Sequence, residues 1–417
     1  MTRALPLLSL CALLPIGGCG EPDLEVKGTL DRVIGETVTL KLEQGENGFS
    51  GEIELIDAGA HRFNAAALKA NKADERKLSF VVPSGATPGK ATARVERKDG
   101  DPFRVPLDVN RLVLALDDQG AIEVLPLSPA SIPTGAIGGI DALGGQISLS
   151  ASGGELAVLA QDQLTLLALG ATPKPVAPAI AQSGKAIVAL PGGVLVCSDT
   201  ALTFVSFQGG TTSQISTTLS GCKALAADRS GAKAAVLSTC DSDKDTTNED
   251  CLTIYDIGTS ITQVTNPPIS LDTNPSASHV AMRPDGKAVV VADSDAVYGV
   301  WLDVTGVPNP DAEKWSQAAS VVGIAMAPLG QGEIFAVADA TSKQVVLYGF
   351  DKTDFKPFIG GAVALTEAPT ALAFGAGTRL YVAAGTAIYT FDATQPDAPT
   401  AAGVSAASAV STLAVQP

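Results

Sequence analysis

The chain has 417 residues, carries 28 Lys and Arg against 44 Asp and Glu for a formal net charge of −16, and contains two histidines. A surface with that balance repels phosphate, which argues against a nucleic-acid partner, and two histidines exclude a multi-histidine metal or catalytic centre. The length suits two or three domains, or one small domain and a large repeat domain, and 42 Gly, 26 Pro and 5% aromatic residues describe a turn-rich globular chain.

Residues 1–19 read as a targeting segment rather than as part of the fold. Arg3 supplies a positive start, and Leu5 to Ile16 form an apolar run shorter than the roughly 20 residues that a spanning helix needs. The run ends in Ile16-Gly17-Gly18-Cys19. This junction resembles the lipobox of a bacterial lipoprotein signal peptide, which implies acylation of Cys19 with palmitate-type chains and attachment to a membrane; two or more chains anchor stably where one does not. An ordinary secretory signal with a chance cysteine is the alternative. Gly20, rather than Asp, follows the cysteine, and the resemblance then implies the outer membrane of the cell envelope. Residues 20–23 are a short linker.

Residues 24–110 alternate as strands do. Thr37 to Leu42, Gly51 to Ile56, Lys77 to Val82, Lys90 to Arg97 and Phe103 to Val109 each place apolar residues at every second position, with turn residues between them. Ala65 to Asp74 is Ala- and Lys-rich and reads as a helical turn. Short strands over so few residues predict a β-sandwich. The Gly35-x-x-Val38 strand, the Phe80-Val81-Val82-Pro83 strand and the Pro88-Gly89 turn resemble the TIG/IPT group of immunoglobulin-like domains, a spacer or binding module in extracellular proteins. His61 has no His or Cys near it in sequence and reads as a loop residue.

From residue 111 onward a unit recurs: a strand of small residues, a Gly turn, a strongly apolar strand, a short turn and a further strand. The fourth copy is the clearest, with His279 to Met282, Arg283-Pro284-Asp285-Gly286, Lys287 to Asp293 and Ala296 to Val304. Repeats of this period, with four short strands each, predict a β-propeller. Leu112 to Leu116 and Ala121 to Leu127 lack an opening strand, and Val410 to Val415 is an opening strand with nothing after it. Six internal repeats and one blade shared by both ends predict seven blades over residues 111–417. The expected fold is therefore all-β, a small immunoglobulin-like sandwich followed by a seven-bladed propeller closed by the C-terminal strand. The stretch from Arg283 to Ala292 resembles the YVTN or lactonase-like repeat family, whose lactonases use acidic residues, Asn and sometimes His around an axial metal.

Apart from Cys11 and Cys19, the cysteines are Cys197, Cys222, Cys240 and Cys251. In an exported chain these allow two disulfides. Cys240 and Cys251 close a small loop, which leaves Cys197 for Cys222. That loop is acidic: Asp241, Asp243 and Asp245 have the spacing that opens a calcium loop, but Thr246 stands where Gly is required and Leu252 where a bidentate Glu belongs. A solvated acidic loop is the preferred reading and a weak calcium loop the alternative. No Gly-x-Ser-x-Gly elbow, phosphate cradle or placed pair of carboxylates emerges, and His279 is the single histidine of the repeats. The expectation is a non-catalytic cell-envelope lipoprotein, not an enzyme, with no catalytic residues and no cofactor, holding a protein or glycan ligand or acting as a scaffold. A metal-dependent lactonase-type hydrolase using the axial channel is the alternative.

Overall fold

A computed structural model describes residues 24–416 apart from 27–30, 43–47, 85, 128–134, 171–172, 209–211, 216–218, 241–248, 259–260, 266–267, 272–276, 294–295, 303–312, 318–319, 328–333 and 350–356. Cys19, Asp241, Asp243 and Asp245 lie outside the described residues. All regular structure among those described is strand, arranged in nine sheets. No helix is long and apolar enough to cross a membrane among the described residues.

Two sheets form the N-terminal part. One has the order Leu24–Val26, Thr37–Leu42, Lys77–Val81, Asn71–Asp74; the other has Asp31–Val33, Phe103–Asn110, Gly89–Arg97, Phe49–Ile56, Arg62–Asn64. The period-two pattern decides which face is buried: Val38, Leu40 and Leu42 point inward from one strand, Val105, Leu107 and Val109 from another, and these join one core with Phe49, Leu55, Leu78 and Phe80. Asp31–Val33 runs parallel to Phe103–Asn110. The predicted helical turn is only partly right. Residues 65–69 are turns, held by bonds such as Ala70 N to Ala65 O at 2.9 Å, and Asn71–Asp74 continues as an edge strand against Lys77–Val81.

The remaining seven sheets have four or five strands each and take a propeller-like arrangement. Their first strands are Gln146–Leu149, Ala186–Leu190, Cys222–Ala227, His279–Met282, Val321–Met326, Pro369–Phe374 and Val410–Val415. Each touches the next, and Val410–Val415 also touches Gln146–Leu149. The second strands are buried on both faces, because a neighbouring sheet covers each side. Ala288–Ala292 is buried at every position, and each such Val contributes roughly 1.5–3 kcal/mol through burial. A charge at Val290 would break this strand. The hairpin before it turns on Gly286, whose φ of +70° suits a residue without Cβ; Gly286 N donates to Arg283 O at 2.8 Å.

The C-terminal strand pairs antiparallel with Leu112–Asp117, with Val113 opposite Val415 and Ala115 opposite Leu413. Residues from the two ends of the repeat region thus share one four-stranded sheet. Val33 of the N-terminal part joins the core of that region together with Leu112, Leu114 and Leu156.

Candidate functional site

The seven first strands enclose a cavity of about 330 Å³, to which every one of them contributes. Most of the wall is made of small or apolar side chains, because the strands converge there and leave little room. The polar groups stand near the strand starts: Gln146, Lys223, Ser278, His279, Thr370 and Ser411. Gln146 is already committed, accepting from Ile187 N at 3.2 Å and donating to Lys185 O at 2.8 Å, so it ties two adjacent first strands together.

Lys223 reaches Asp250, whose carboxylate is completely buried; the ammonium pairs with one oxygen and Ala277 N donates to the other at 2.7 Å. Asp250 lies on the third strand of the same sheet, Glu249–Ile257, and Ala277 precedes the next first strand, so this ion pair fixes the cavity wall at the join of two sheets. A buried carboxylate is tolerated only when paired and hydrogen-bonded in this way. His279 is half-buried. Burial pushes its pKa below the ordinary histidine value, and a hydrogen bond to the backbone of Val321 partly opposes that shift. The imidazole is therefore neutral at pH 7, and with one ring nitrogen donating to a carbonyl the other carries a free lone pair.

A second group of residues lies on the strand of Asp250 and on its neighbour Lys233–Cys240. Cys240 faces Glu249 across the hairpin, and Ser238 faces Cys251. Side chains directly opposite, or two apart, share one face, so Cys240, Glu249 and Cys251 converge, and their donor atoms lie within 4.8 Å of one another. Ser270, opposite Cys251, donates to Glu249 Oε2 at 2.5 Å. Two thiolates and a carboxylate, with the carboxylate oriented by a hydroxyl, are a donor set suited to a divalent ion such as zinc with one position left open. Cys240 and Cys251 are joined as a disulfide, as are Cys197 and Cys222. Thiolates, not disulfide sulfurs, bind metal, so the set fits an ion once the Cys240–Cys251 bond is reduced. The cavity does not fit one: among its described lining residues there is no Asp, Glu or Asn, and it carries a lysine.

Other buried or turn-forming polar residues have structural roles. Asp293 accepts from Ala296 N at 2.5 Å and Tyr298 OH at 3.2 Å; Asp339 accepts from Thr341 N at 3.0 Å; Asp392 accepts from Thr394 N at 2.9 Å. All three cap turns. His61 Nδ1 lies 3.1 Å from Asp57, which also takes Thr87 N at 2.7 Å, and so braces a loop. Sequence reasoning missed Lys223, Asp250 and Glu249. The only available signal was the alternation that places Glu249 and Cys251 on one face of a strand and Asp250 on the other.

No family model matches the chain, and no curated protein matches it. Solved structures share the fold at low identity. A functionally unknown protein of Desulfotomaculum acetoxidans aligns with a TM-score of 0.54 at 12% identity, over 73% of this chain and 98% of its own. The periplasmic gluconolactonase PpgL of Pseudomonas aeruginosa aligns with a TM-score of 0.53 at 11% identity, over 74% of this chain and 99% of its own. Apo AztD of Citrobacter koseri gives 0.51 at 12%, over 74% and 98%. The chain thus has an all-β, propeller-like fold of the kind found in these proteins.

Three sequence expectations are corrected. A non-catalytic role, the absence of enzymatic activity and the absence of a cofactor are all overturned by the same findings. Cys240, Glu249 and Cys251 bring metal-ligand chemistry within 4.8 Å, and the fold is one that a periplasmic gluconolactonase also uses. The cause of the error is physical: the three donors are assembled by strand register, and no local motif announces them. A thiolate-rich set favours softer ions than calcium, while the calcium candidates Asp241, Asp243 and Asp245 lie outside the described residues.

Proposed function

We propose that the chain is an exported, metal-dependent hydrolase of the lactonase type that takes a small ester or lactone into the axial cavity. One observation carries this reading: Asp250 sits between Glu249 and Cys251 of the metal-ligand set and holds Lys223, which lines the cavity. The donor set occupies one face of this strand segment and the carboxylate that holds the cavity lysine the other, so the two are coupled through the strand.

A divalent ion held by Cys240, Glu249 and Cys251, on the face of the strand opposite Asp250, would act on the cavity by fixing Asp250 and, through it, Lys223. The chain's own residues do the rest. The Lys223 ammonium, fixed by Asp250, faces a substrate oxygen on which negative charge develops. The neutral His279 accepts a proton from an attacking water. The volume limits the substrate to a small molecule. The test is hydrolysis of a panel of lactones and aryl esters by the mature protein after mild reduction, with and without added zinc, manganese or calcium. Metal-stimulated turnover that falls at least tenfold in Lys223→Ala and His279→Gln is expected. Absence of turnover with every metal overturns the reading.

We also propose the finer architecture: residues 24–110 form an immunoglobulin-like domain of the TIG/IPT kind, and residues 111–417 a closed seven-bladed propeller. The cyclic contacts of the first strands and the pairing of the two ends support closure. For location we propose a lipoprotein of the bacterial cell envelope, with residues 1–19 as the signal peptide and Cys19 anchoring the chain to the outer membrane; the membrane is then a partner and nucleic acid is not. Two disulfides accord with an oxidising compartment, as does the periplasmic name of the Pseudomonas protein.

A further inference from the structure

We propose that the Cys240–Cys251 disulfide is a redox gate on the metal site, so that the oxidised protein excludes the ion and the reduced protein binds it. This rests on the metal reading above and adds its regulation. Both states need the same backbone. Cys240 and Cys251 are on adjacent paired strands, with Glu249 directly opposite Cys240. Between a disulfide and two ligands of one tetrahedral ion the sulfurs separate by roughly 2 Å, within reach of side-chain rotation. Glu249 is already aimed by Ser270, so opening the bond completes a set whose third member is in place.

The two disulfides differ in access. Cys197 and Cys222 are 0% and 5% exposed and join two neighbouring sheets, whereas in the other bond Cys251 is buried but Cys240 is only partly so and offers one reachable sulfur. A reductant therefore reaches Cys240–Cys251 first, while the other bond keeps the sheets together. A dithiol carrier is the required co-reactant: its thiolate attacks the Cys240–Cys251 bond, two electrons and two protons pass to the protein as two thiols, and the carrier leaves as a disulfide. Binding of the ion then releases the two thiol protons to solvent.

Cobalt(II) is the probe, because thiolate ligation gives a charge-transfer absorption band. Cobalt is titrated into the folded protein before and after mild dithiol treatment, with thiol counting and circular dichroism at each stage. The expected result is one equivalent of cobalt with a thiolate band in the reduced protein, none in the oxidised protein and none in Cys240→Ser/Cys251→Ser. Ser270→Ala, which leaves all three ligands, should bind about 10- to 100-fold more weakly. An equal band in the oxidised protein, or no band in folded reduced protein, overturns the gate. A cobalt band without metal-stimulated hydrolysis keeps the gate and rejects the hydrolase.

Discussion

The side-chain amide of Gln416 donates to the carbonyl of Ile34 at 2.9 Å, joining the end of the chain to its N-terminal sheets. The same amide donates to Gly153 O at 2.7 Å, and its oxygen accepts from Leu112 N at 2.8 Å. Gln416 is completely buried, so three separate segments depend on one side chain for their polar groups.

Gln416→Ala leaves these buried backbone groups unpaired and should cost about 2–4 kcal/mol in denaturant unfolding. Deleting residues from 409 onward should do more, since it strips Leu112–Asp117 of its neighbour and exposes a sheet edge. Unchanged melting after that deletion would show that the tail is dispensable.

Gly35 and Gly154 approach so closely that a Cβ on Gly35 would lie 2.4 Å from the Gly154 nitrogen, and Gly35 has φ of +80°. Gly35→Ala is thus disfavoured both by backbone conformation and by contact, and should lose about 2 kcal/mol. Gly135→Ala, where nothing lies within 4 Å, should leave the unfolding midpoint unchanged. Similar midpoints for both variants would refute the close packing.

Asp250→Asn removes the charge that holds Lys223. Breaking a buried pair from one side costs about 3–5 kcal/mol; with Lys223 a quarter exposed, the lower figure is expected. Replacing both residues, as Lys223→Met with Asp250→Leu, should recover part of the loss. A double variant less stable than Asp250→Asn would contradict this account.

His279 is held neutral by burial, and the sign of its pH effect follows. A histidine with a depressed folded pKa contributes stability that is present above its ordinary value near 6.5 and is lost as pH falls below it. The stability of the parent relative to His279→Gln should therefore decline as pH drops below about 6.5, and the acid limb of hydrolysis should lie lower than for a free imidazole. A stability difference independent of pH between 7 and 5 would mean that burial does not shift this group.

Cys19→Ala should release the protein from the membrane fraction of its host into the soluble envelope fraction, because the apolar run before it is too short to span. Retention equal to that of the parent would reject lipidation at this residue.

Much of the strand pattern was written locally. Alternating apolar positions in Thr37–Leu42, the Pro284-Asp285-Gly286 turn and the uninterrupted apolar run of Ala288–Ala292 each express backbone and burial preferences that act over a few residues. The terminal strand was legible for the same reason, since Val410–Val415 is a first strand without a second. The pairing of Cys240 with Cys251 followed from their short separation, which left Cys197 and Cys222 to each other.

What the sequence could not carry was the company each polar side chain keeps. Glu249 joins two cysteines because it stands opposite one and two residues before the other, a fact of strand register. Lys223 and Asp250 meet because the first and third strands of a sheet flank the second. Residues 146, 223, 279 and 411 share one cavity because seven strands far apart in sequence each contribute to its lining. Local preferences act through neighbouring φ, ψ and side-chain periodicity, whereas a site depends on which distant strands pair and in what register. The sequence by itself determined that this chain is a repeating all-β protein; only the tertiary structure decided that a cysteine–glutamate cluster and the carboxylate bracing a chamber lysine occupy opposite faces of one strand.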